Sequence, residues 1–164
     1  MEYLSIYQAQ PLSVPISDLT TLQYNTILAG IVYGFVDNEN CVEIETCIGD
    51  GSDEAKLAYD AFQLIASADR SDNIAGFTEL AQVVAALPGM MTDCKNTKED
   101  QAILEAWALN LYSQTDLEGY IRHNVKRHII ALTADVAKAK ALYAAEKYWA
   151  FGMLLGDMAT IATQ

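Results

Sequence analysis

The sequence predicts an all-α fold: an antiparallel helical bundle that follows an extended N-terminal arm. Three observations support this prediction. The 164 residues include only 9 glycines and 3 prolines, and two of the prolines fall in the first 16 residues. Apolar residues make up 52% of the chain and recur at helical spacing. Outside the arm, no segment shows the sustained alternation of a β-strand.

One domain over residues 17–164 is expected after an arm over residues 1–16, because 18.0 kDa is the size of a single ordinary domain. Pro11 and Pro15 exclude a helix in the arm. The arm either lies on its own domain or frays, or it reaches a neighbouring molecule and adds to that surface. The apolar side chains that would make the second kind of contact are Leu4, Ile6 and Tyr7.

Capping residues and helix breakers divide the first half of the domain into four helices. The first begins after Ser17-Asp18 and ends before Asp37–Asn40. The second spans about Val42 to Ile48, and Gly49-Asp50-Gly51 ends it. Ser52 caps the third, which runs to about Ala68. The fourth opens at Ser71 or Asn73 and ends at Pro88-Gly89.

The second half of the domain contains three more predicted helices after a short segment at Met90–Lys95. One runs from Thr97 to Tyr112, with Ile103, Trp107 and Leu111 facing inward. Asp116 opens the longest helix, which runs to Leu142 or Tyr143 with Ile129 among its inward residues. The last helix begins at Lys147. Seven helices with short loops are typical of a bundle.

The net charge of −12 is unevenly distributed. Residues 1–55 contain no lysine or arginine, and acidic residues are densest between Asp37 and Glu54. The opposite extreme is Gly119–Lys147, which contains a basic patch formed by Arg122, Lys126 and Arg127. The two regions are either solvated faces of different helices or complementary surfaces for head-to-tail self-association. The overall acidity argues against nucleic acid and anionic membranes as partners.

The start of the chain lacks the basic segment and apolar core of a secretory signal. The protein is therefore either cytoplasmic or a mature secreted form whose signal has been removed. The most apolar run, Ile27–Val36, is shorter than the about 20 residues that a membrane-spanning helix needs. We expect a buried helix there, and no membrane span.

No catalytic or metal-binding constellation is found in the sequence, and no cofactor is expected. His123 and His128 are five residues apart on one predicted helix, so they do not share a face as an i, i+4 metal-binding pair would. The chain has three cysteines. They are either reduced, buried thiols or include a bridge between Cys47 and Cys94, both at helix ends. Such a bridge would contribute about 4 kcal/mol of stability.

Two glycine pairs with G-x-x-x-G spacing occur, one in the first predicted helix and one in the last. A glycine inside a helix costs up to about 1 kcal/mol relative to alanine, so close approach between helices is expected to offset it. Packing of the first helix on the last within one chain is favoured over a contact between chains. The four residues are Gly30, Gly34, Gly152 and Gly156.

Five short motifs follow one another along the chain: Gly30-x-x-x-Gly34, Cys47-Ile48-x-Asp50, Asp93-Cys94-Lys95, Asn124-Val125 with His128, and Tyr148-x-x-Phe151-Gly152-x-x-x-Gly156-Asp157. In this order and spacing they resemble a poorly characterised group of small helical proteins found in ciliates and other protists. The resemblance covers residues 27–164. It implies a mature secreted protein and a Cys47–Cys94 bridge, with Cys41 outside the pattern. Members tend to carry glycine in the turn before the last helix, where this chain has Ala144-Ala145-Glu146.

The expected function is non-enzymatic. The arm and the opposed charges suggest a protein that assembles with copies of itself into an extracellular filament, coat or matrix. One alternative is an accessory subunit of a larger hetero-complex, with the arm docked on a different protein. Another is a small helical protein that binds an apolar ligand between helices, near Trp107, Tyr148 and Trp149.

Overall fold

The computed structural model describes residues 14–36 and 44–164. Over these residues the fold is an all-α bundle without strands, as predicted. None of the described helices is long and apolar enough to cross a membrane. The helices are α1 (Thr21–Val36), α2 (Ile44–Cys47), α3 (Ser52–Ile65), α4 (Arg70–Met90), α5 (Lys98–Tyr112), α6 (Leu117–Arg127), α7 (Ile129–Ala144) and α8 (Tyr148–Ala162).

Helix α1 begins at a capping box centred on Thr20, and not after Ser17 as predicted. The Thr20 side-chain oxygen accepts a hydrogen bond from the Gln23 backbone N–H, and the Gln23 side chain accepts one from the Thr20 N–H. The predicted cap lies instead in a 3₁₀ turn, Ile16–Asp18, that precedes the helix. Ser17-Asp18 and Thr20 are both of residue types that cap helices, so residue type alone did not show which of them begins α1.

The centre of the bundle is the pair formed by α1 and α8, which run in the same direction. Gly30 meets Trp149 and Met153, whereas Gly156, further along α8, meets Ile31 and Phe35, further along α1. The two backbones touch along this line, because a Cβ at any of the four glycines would overlap a carbonyl of the facing helix. Parallel packing of the first helix on the last is thus a departure from strict antiparallel order within the bundle.

Helices α3 and α4 form an antiparallel pair beside this centre. Gly76 on α4 lies against Ala61 and Ile65 on α3. The Asn73 side-chain amide donates hydrogen bonds to the carbonyls of Leu64, Ile65 and Ser67, which closes the C-terminal end of α3. The N-cap of α4 is Asp69, earlier than the predicted Ser71 or Asn73, and its carboxylate accepts from the N–H groups of Ser71 and Asp72.

Helix α4 continues through Pro88 to Met90, so the predicted end at Pro88-Gly89 is slightly early. A proline in the last turn removes one backbone donor, and the helix ends within a few residues of it. The chain then turns back so that the side chain of Gln101 on α5 donates to the carbonyl of Met91.

The longest predicted helix is two helices, because the backbone breaks at His128 with φ −118° and ψ 26°. Helix α6 buries Ile121 and Val125, and α7 buries Leu132. No glycine or proline marks this break. Two residues assigned inward from the apolar pattern, Ile103 and Ile129, are exposed in the structure.

The turn before α8 has the geometry that glycine usually provides. Glu146 has φ 60°, and its N–H donates to the Tyr143 carbonyl while the Lys147 N–H donates to the Leu142 carbonyl. These two bonds form a Schellman motif, whose left-handed residue is most often glycine. The resemblance describes glycine in this turn, and here Glu146 adopts that conformation.

Candidate assembly surfaces

Cys47 and Cys94 are joined in the structure, with Cα atoms 5.2 Å apart. Cys47 is the last residue of α2, and Cys94 lies in the turn before α5. This is the pairing that the resemblance implies. The bridge links the short α2 to the α4–α5 connection. Cys41 lies outside the described residues.

Hydrogen bonds from one buried asparagine hold the same region on α1. The Asn25 amide nitrogen donates to the carbonyls of Glu45 and Gly49, and its oxygen accepts from the Gly51 N–H. Gly51 lies so close to Asn25 and Leu28 that a Cβ there would overlap both side chains. The bridge and Asn25 therefore fasten α2 and the start of α3 to the rest of the bundle.

Two tyrosine hydroxyls anchor the end of the arm. Tyr143 donates to the Val14 carbonyl at 2.8 Å, and Tyr24 donates to the Ile16 carbonyl at 2.6 Å. Val14 and Ile16 also pack against the core. The arm residues Leu4, Ile6 and Tyr7 lie outside the described residues. The structure therefore places Val14 close to the C-terminal end of α7.

An aromatic cluster supports this anchor. The ring of Tyr143 packs against those of Tyr59, Tyr148 and Phe151, with centroids 4.8, 5.6 and 5.2 Å apart. Burial raises the pKa of the Tyr143 hydroxyl, with smaller contributions from neighbouring tyrosines. Tyr148 is also buried, and within the described part of the chain its hydroxyl has no hydrogen-bond partner.

The described part of the acidic region lies at the N-terminal end of α3. Asp53 and Glu54 occupy its first turn, where the helix dipole stabilises negative charge. Hydrogen bonds from Ser52 lower the pKa of Asp50, so this carboxylate stays ionised over a wide pH range. The acidic residues between 37 and 43 are outside the described residues.

The basic patch is on α6, which begins at the N-cap Asp116. Arg122 forms an ion pair with Glu118 one turn earlier, so part of its charge is neutralised. Lys126 and Arg127 lie in the last turn of α6, where cations interact favourably with the helix dipole. Both are exposed, and neither has an ion pair among the described residues.

The acidic residues Asp53 and Glu54 lie at one end of α3, and α6, the helix that carries the basic patch, approaches the other end. Asp53 and Glu54 are in its first turn, whereas Ile65, its last residue, lines a cavity together with Val125 of α6. Because α3 has 14 residues, these ends are about 20 Å apart. The charge separation along the sequence is therefore also a separation in space.

Neither histidine takes part in a metal-binding cluster within the described region. His123 is exposed and His128 forms the break after α6. Within residues 14–36 and 44–164, no group of three or more His, Cys, Asp or Glu side chains could hold a metal ion.

The aromatic residues expected near an apolar ligand have packing roles. Trp107 donates a hydrogen bond to the Thr163 hydroxyl and meets Phe35 edge-on, and Trp149 packs on Tyr33. A cavity of about 180 Å³ lies elsewhere, between α3, α4, α6 and α7. This volume is below the roughly 300 Å³ at which sites for drug-sized ligands begin, whereas a groove between α3 and α4 has about 340 Å³.

Two features of the structure were not predicted. The carboxyl group of Asp135 on α7 lies beside that of Asp157 on α8. Several large apolar side chains are exposed, with Ile130 at 85%, Leu109 at 76% and Leu57 at 53%. The sequence contains a weak signal for each feature. Asp135 and Asp157 are acidic residues within apolar runs. Ile130 follows Ile129 directly, so the two side chains lie on different faces of the helix.

Comparisons of the chain with protein-family models, with curated proteins and with solved structures found no match.

Proposed function

We propose that this protein is a non-enzymatic structural protein that assembles head to tail with copies of itself in an extracellular filament, coat or matrix. The observation that carries the proposal is that Asp53 and Glu54 lie at one end of α3, whereas α6, which carries the basic patch, approaches the other end. Complementary charge at opposite ends favours the end-to-end encounter of two copies and sets their relative orientation. A heterologous contact of this kind repeats into a filament, or into a ring if the rotation closes.

The disulfide supports the extracellular part of the proposal. Stable disulfides belong to oxidising compartments such as the extracellular space, and they are rare in the cytosol. In this chain the bridge fastens α2, which has only four residues and buries a single apolar side chain, Ile44. A module held in this way keeps its surface intact without chaperones, which suits a protein that functions in an assembly.

The anchored arm supports self-assembly in a second way. Tyr143 and Tyr24 hold Val14 and Ile16 on the bundle, so the residues before them start from a fixed point. Thirteen residues precede Val14, and an extended segment of that length reaches up to about 45 Å. This reach exceeds the length of α3, and Leu4, Ile6 and Tyr7 would supply apolar contacts on a neighbouring copy.

The oligomeric state as a function of salt tests the proposal. We expect wild-type protein to form species larger than 18.0 kDa at low ionic strength and to dissociate as salt screens the charged ends. Mass photometry and sedimentation velocity over a concentration series measure both. A monodisperse monomer at high concentration and low salt would contradict self-assembly.

Charge reversal tests whether the basic patch is responsible. The double substitution Lys126→Glu with Arg127→Glu should shift the assembly curve to higher protein concentration by at least tenfold. The matched control is the pair Lys95→Glu with Lys98→Glu, which changes the net charge equally at exposed positions outside the patch. Equal effects of the two pairs would show that net charge, and not the patch, governs association.

A further inference from the structure

The exposed face of α7 is unusually apolar for a helix at the surface. Ile130 is 85% exposed, and Ala134, Ala137 and Ala141 are exposed on the same face. At 3.6 residues per turn, Lys138 and Lys140 lie on the two sides of that face. Asp135, the acid within α7, lies toward α8, where it meets Asp157. The outward face is thus an apolar strip bordered by positive charge.

A groove with the complementary character lies between α3 and α4. Its volume is about 340 Å³, and its apolar lining is Leu57, Val83 and Ala86. Two carboxylates, Glu54 and Glu79, also line the groove, and no lysine or arginine does. Neither carboxylate forms an ion pair within residues 14–36 and 44–164. The groove is therefore an apolar surface bordered by negative charge.

These two surfaces belong to different sides of one folded unit. Helix α7 packs mainly on α8, whereas the groove is formed by α3 and α4. The α7 of one molecule cannot fill the groove of the same molecule without unfolding from α8. A second copy can bring its α7 to the groove, and its own groove then remains open for a third.

We propose that the outward face of α7 of one copy docks in the α3–α4 groove of the next copy. Ile130 packs on Leu57, and Lys138, about 12 Å further along α7, lies toward Glu79. This inference rests on the proposed self-assembly and identifies the surfaces that would carry it. Opposite charges at the border of an apolar contact steer the encounter of the two surfaces.

The test uses two variants that each disable one surface. Ile130→Glu should leave the groove intact but remove the docking helix face, and Leu57→Glu should do the opposite. Each variant alone is expected to be a monomer of 18.0 kDa. Because glutamate is a good helix former and both positions are exposed, the helices should persist, which far-UV circular dichroism and thermal melting check.

The decisive sample is an equimolar mixture of the two variants. One intact face and one intact groove remain between them, so they should form a dimer of twice the monomer mass and nothing larger. Leu109→Glu is the matched control: this side chain is 76% exposed on α5 and outside both surfaces, so the variant should assemble as wild type does.

Other outcomes separate failure of the docking from failure of assembly itself. If wild type assembles and Ile130→Glu assembles equally well, or if the mixture stays monomeric, the proposed docking is wrong and self-assembly by other surfaces stands. If wild type is monomeric under all conditions, both the docking and the proposed function fail. A further check is charge exchange: Glu79→Lys and Lys138→Glu should each weaken assembly, and the double variant that carries both changes should regain it.

Discussion

At the scale of single residues, the two buried tyrosines on either side of the α7–α8 turn differ in one respect. The Tyr143 hydroxyl donates to the Val14 carbonyl, whereas the Tyr148 hydroxyl has no partner among the described residues. A buried hydroxyl without a partner costs the free energy of removing it from water. The same substitution at the two positions should therefore have opposite effects.

We expect Tyr148→Phe to raise the free energy of unfolding by about 1 kcal/mol and Tyr143→Phe to lower it by about 1 kcal/mol. At this chain length each change corresponds to about 2–4 °C in Tm. Thermal and urea unfolding of the two variants, measured beside wild type, give the result. A loss of stability in Tyr148→Phe would mean that its hydroxyl has a hydrogen-bond partner.

The Asp135–Asp157 pair makes stability depend on pH. Burial, together with the hydrogen bond and charge of Asp157, raises the pKa of Asp135 to about 6, and nearby Lys138 partly offsets this. A carboxyl group whose pKa is raised on folding stabilises the folded state while it is protonated. That contribution is full below the ordinary value of 3.8 and is lost as the pH rises through about 6.

Asp135→Asn should therefore have a higher Tm than wild type at pH 7.5, and the difference should shrink as the pH falls below 5. The comparison with wild type at each pH removes the effect of other carboxylates, including Asp50 and Asp69, whose lowered pKa values act in the opposite direction. Asp157→Asn should behave in the same way. Asp60→Asn, at an exposed position on α3, is the control and should show no such pH-dependent gain.

At the scale of helices, the fold depends most on the contact between α1 and α8. The closest approach of the two backbones is at the four glycines, where no side chain separates the helices. Gly34 meets the backbone of Met153 directly, so an added methyl group has no flexible side chain to displace. Any substitution there must push the helices apart, with loss of packing among their buried neighbours.

Gly34→Ala is expected to destabilise the protein by about 3 kcal/mol, or roughly 6–12 °C in Tm. The control is Gly89→Ala on α4, where a Cβ meets nothing within 4 Å. The control should be neutral or stabilising, by up to about 1 kcal/mol, because alanine favours the helix. A change of oligomeric state in Gly34→Ala without loss of monomer stability would indicate a contact between chains instead.

The helices themselves were largely predictable from local chemistry, but their boundaries and inward faces were less so. The turn Gly49-Asp50-Gly51 located the start of α3, and the glycine spacing indicated that the first and last helices touch. The predicted cap Ser52 was wrong by one position, because Gly51 is the N-cap and Ser52 is the first residue of the helix. The break at His128 was missed because tertiary packing, and no local breaker, redirects the chain there. Ile103 was assigned inward although its neighbour Leu104 is the buried residue, since adjacent apolar residues leave the helical phase ambiguous.

The candidate surfaces were predicted less completely. Charge segregation is visible in the sequence, so the basic patch on α6 was found. The apolar strip on α7 and the α3–α4 groove were not found, because exposure depends on which neighbours a helix acquires. Likewise, the proximity of Asp135 and Asp157 could be predicted only from how α7 lies on α8.

At the scale of the whole molecule, the Cys47–Cys94 bridge is the main covalent constraint in the described region. The cysteines are 47 positions apart, so the bridge closes a long loop and restricts the unfolded chain strongly. The chain-entropy treatment gives a stabilisation of about 4 kcal/mol for a loop of this length. The constraint acts on α2 most directly, because α2 has only four residues and Cys47 is the last of them.

Reduction should therefore lower the free energy of unfolding by about 4 kcal/mol, and Cys47→Ala with Cys94→Ala should reproduce this loss without reductant. Intact mass spectrometry should show a gain of about 2 Da on reduction under denaturing conditions, as a bridge requires. Cys41→Ala, which retains the bridged pair, is the control and should respond to reductant as wild type does. Equal stability with and without reductant would contradict a structural role for the bridge.

The common direction of α1 and α8 has a consequence for engineering the topology of this protein. The start of α1 and the end of α8 lie at opposite ends of the pair, roughly 25 Å apart or more, given the 1.5 Å rise per residue. Circular permutation usually exploits neighbouring termini that a short linker can join. Here the linker would need about eight extended residues along the outside of the bundle. The two helix ends are suited to a donor and an acceptor fluorophore. Energy transfer between them would show whether copies in the proposed assembly follow one another head to tail.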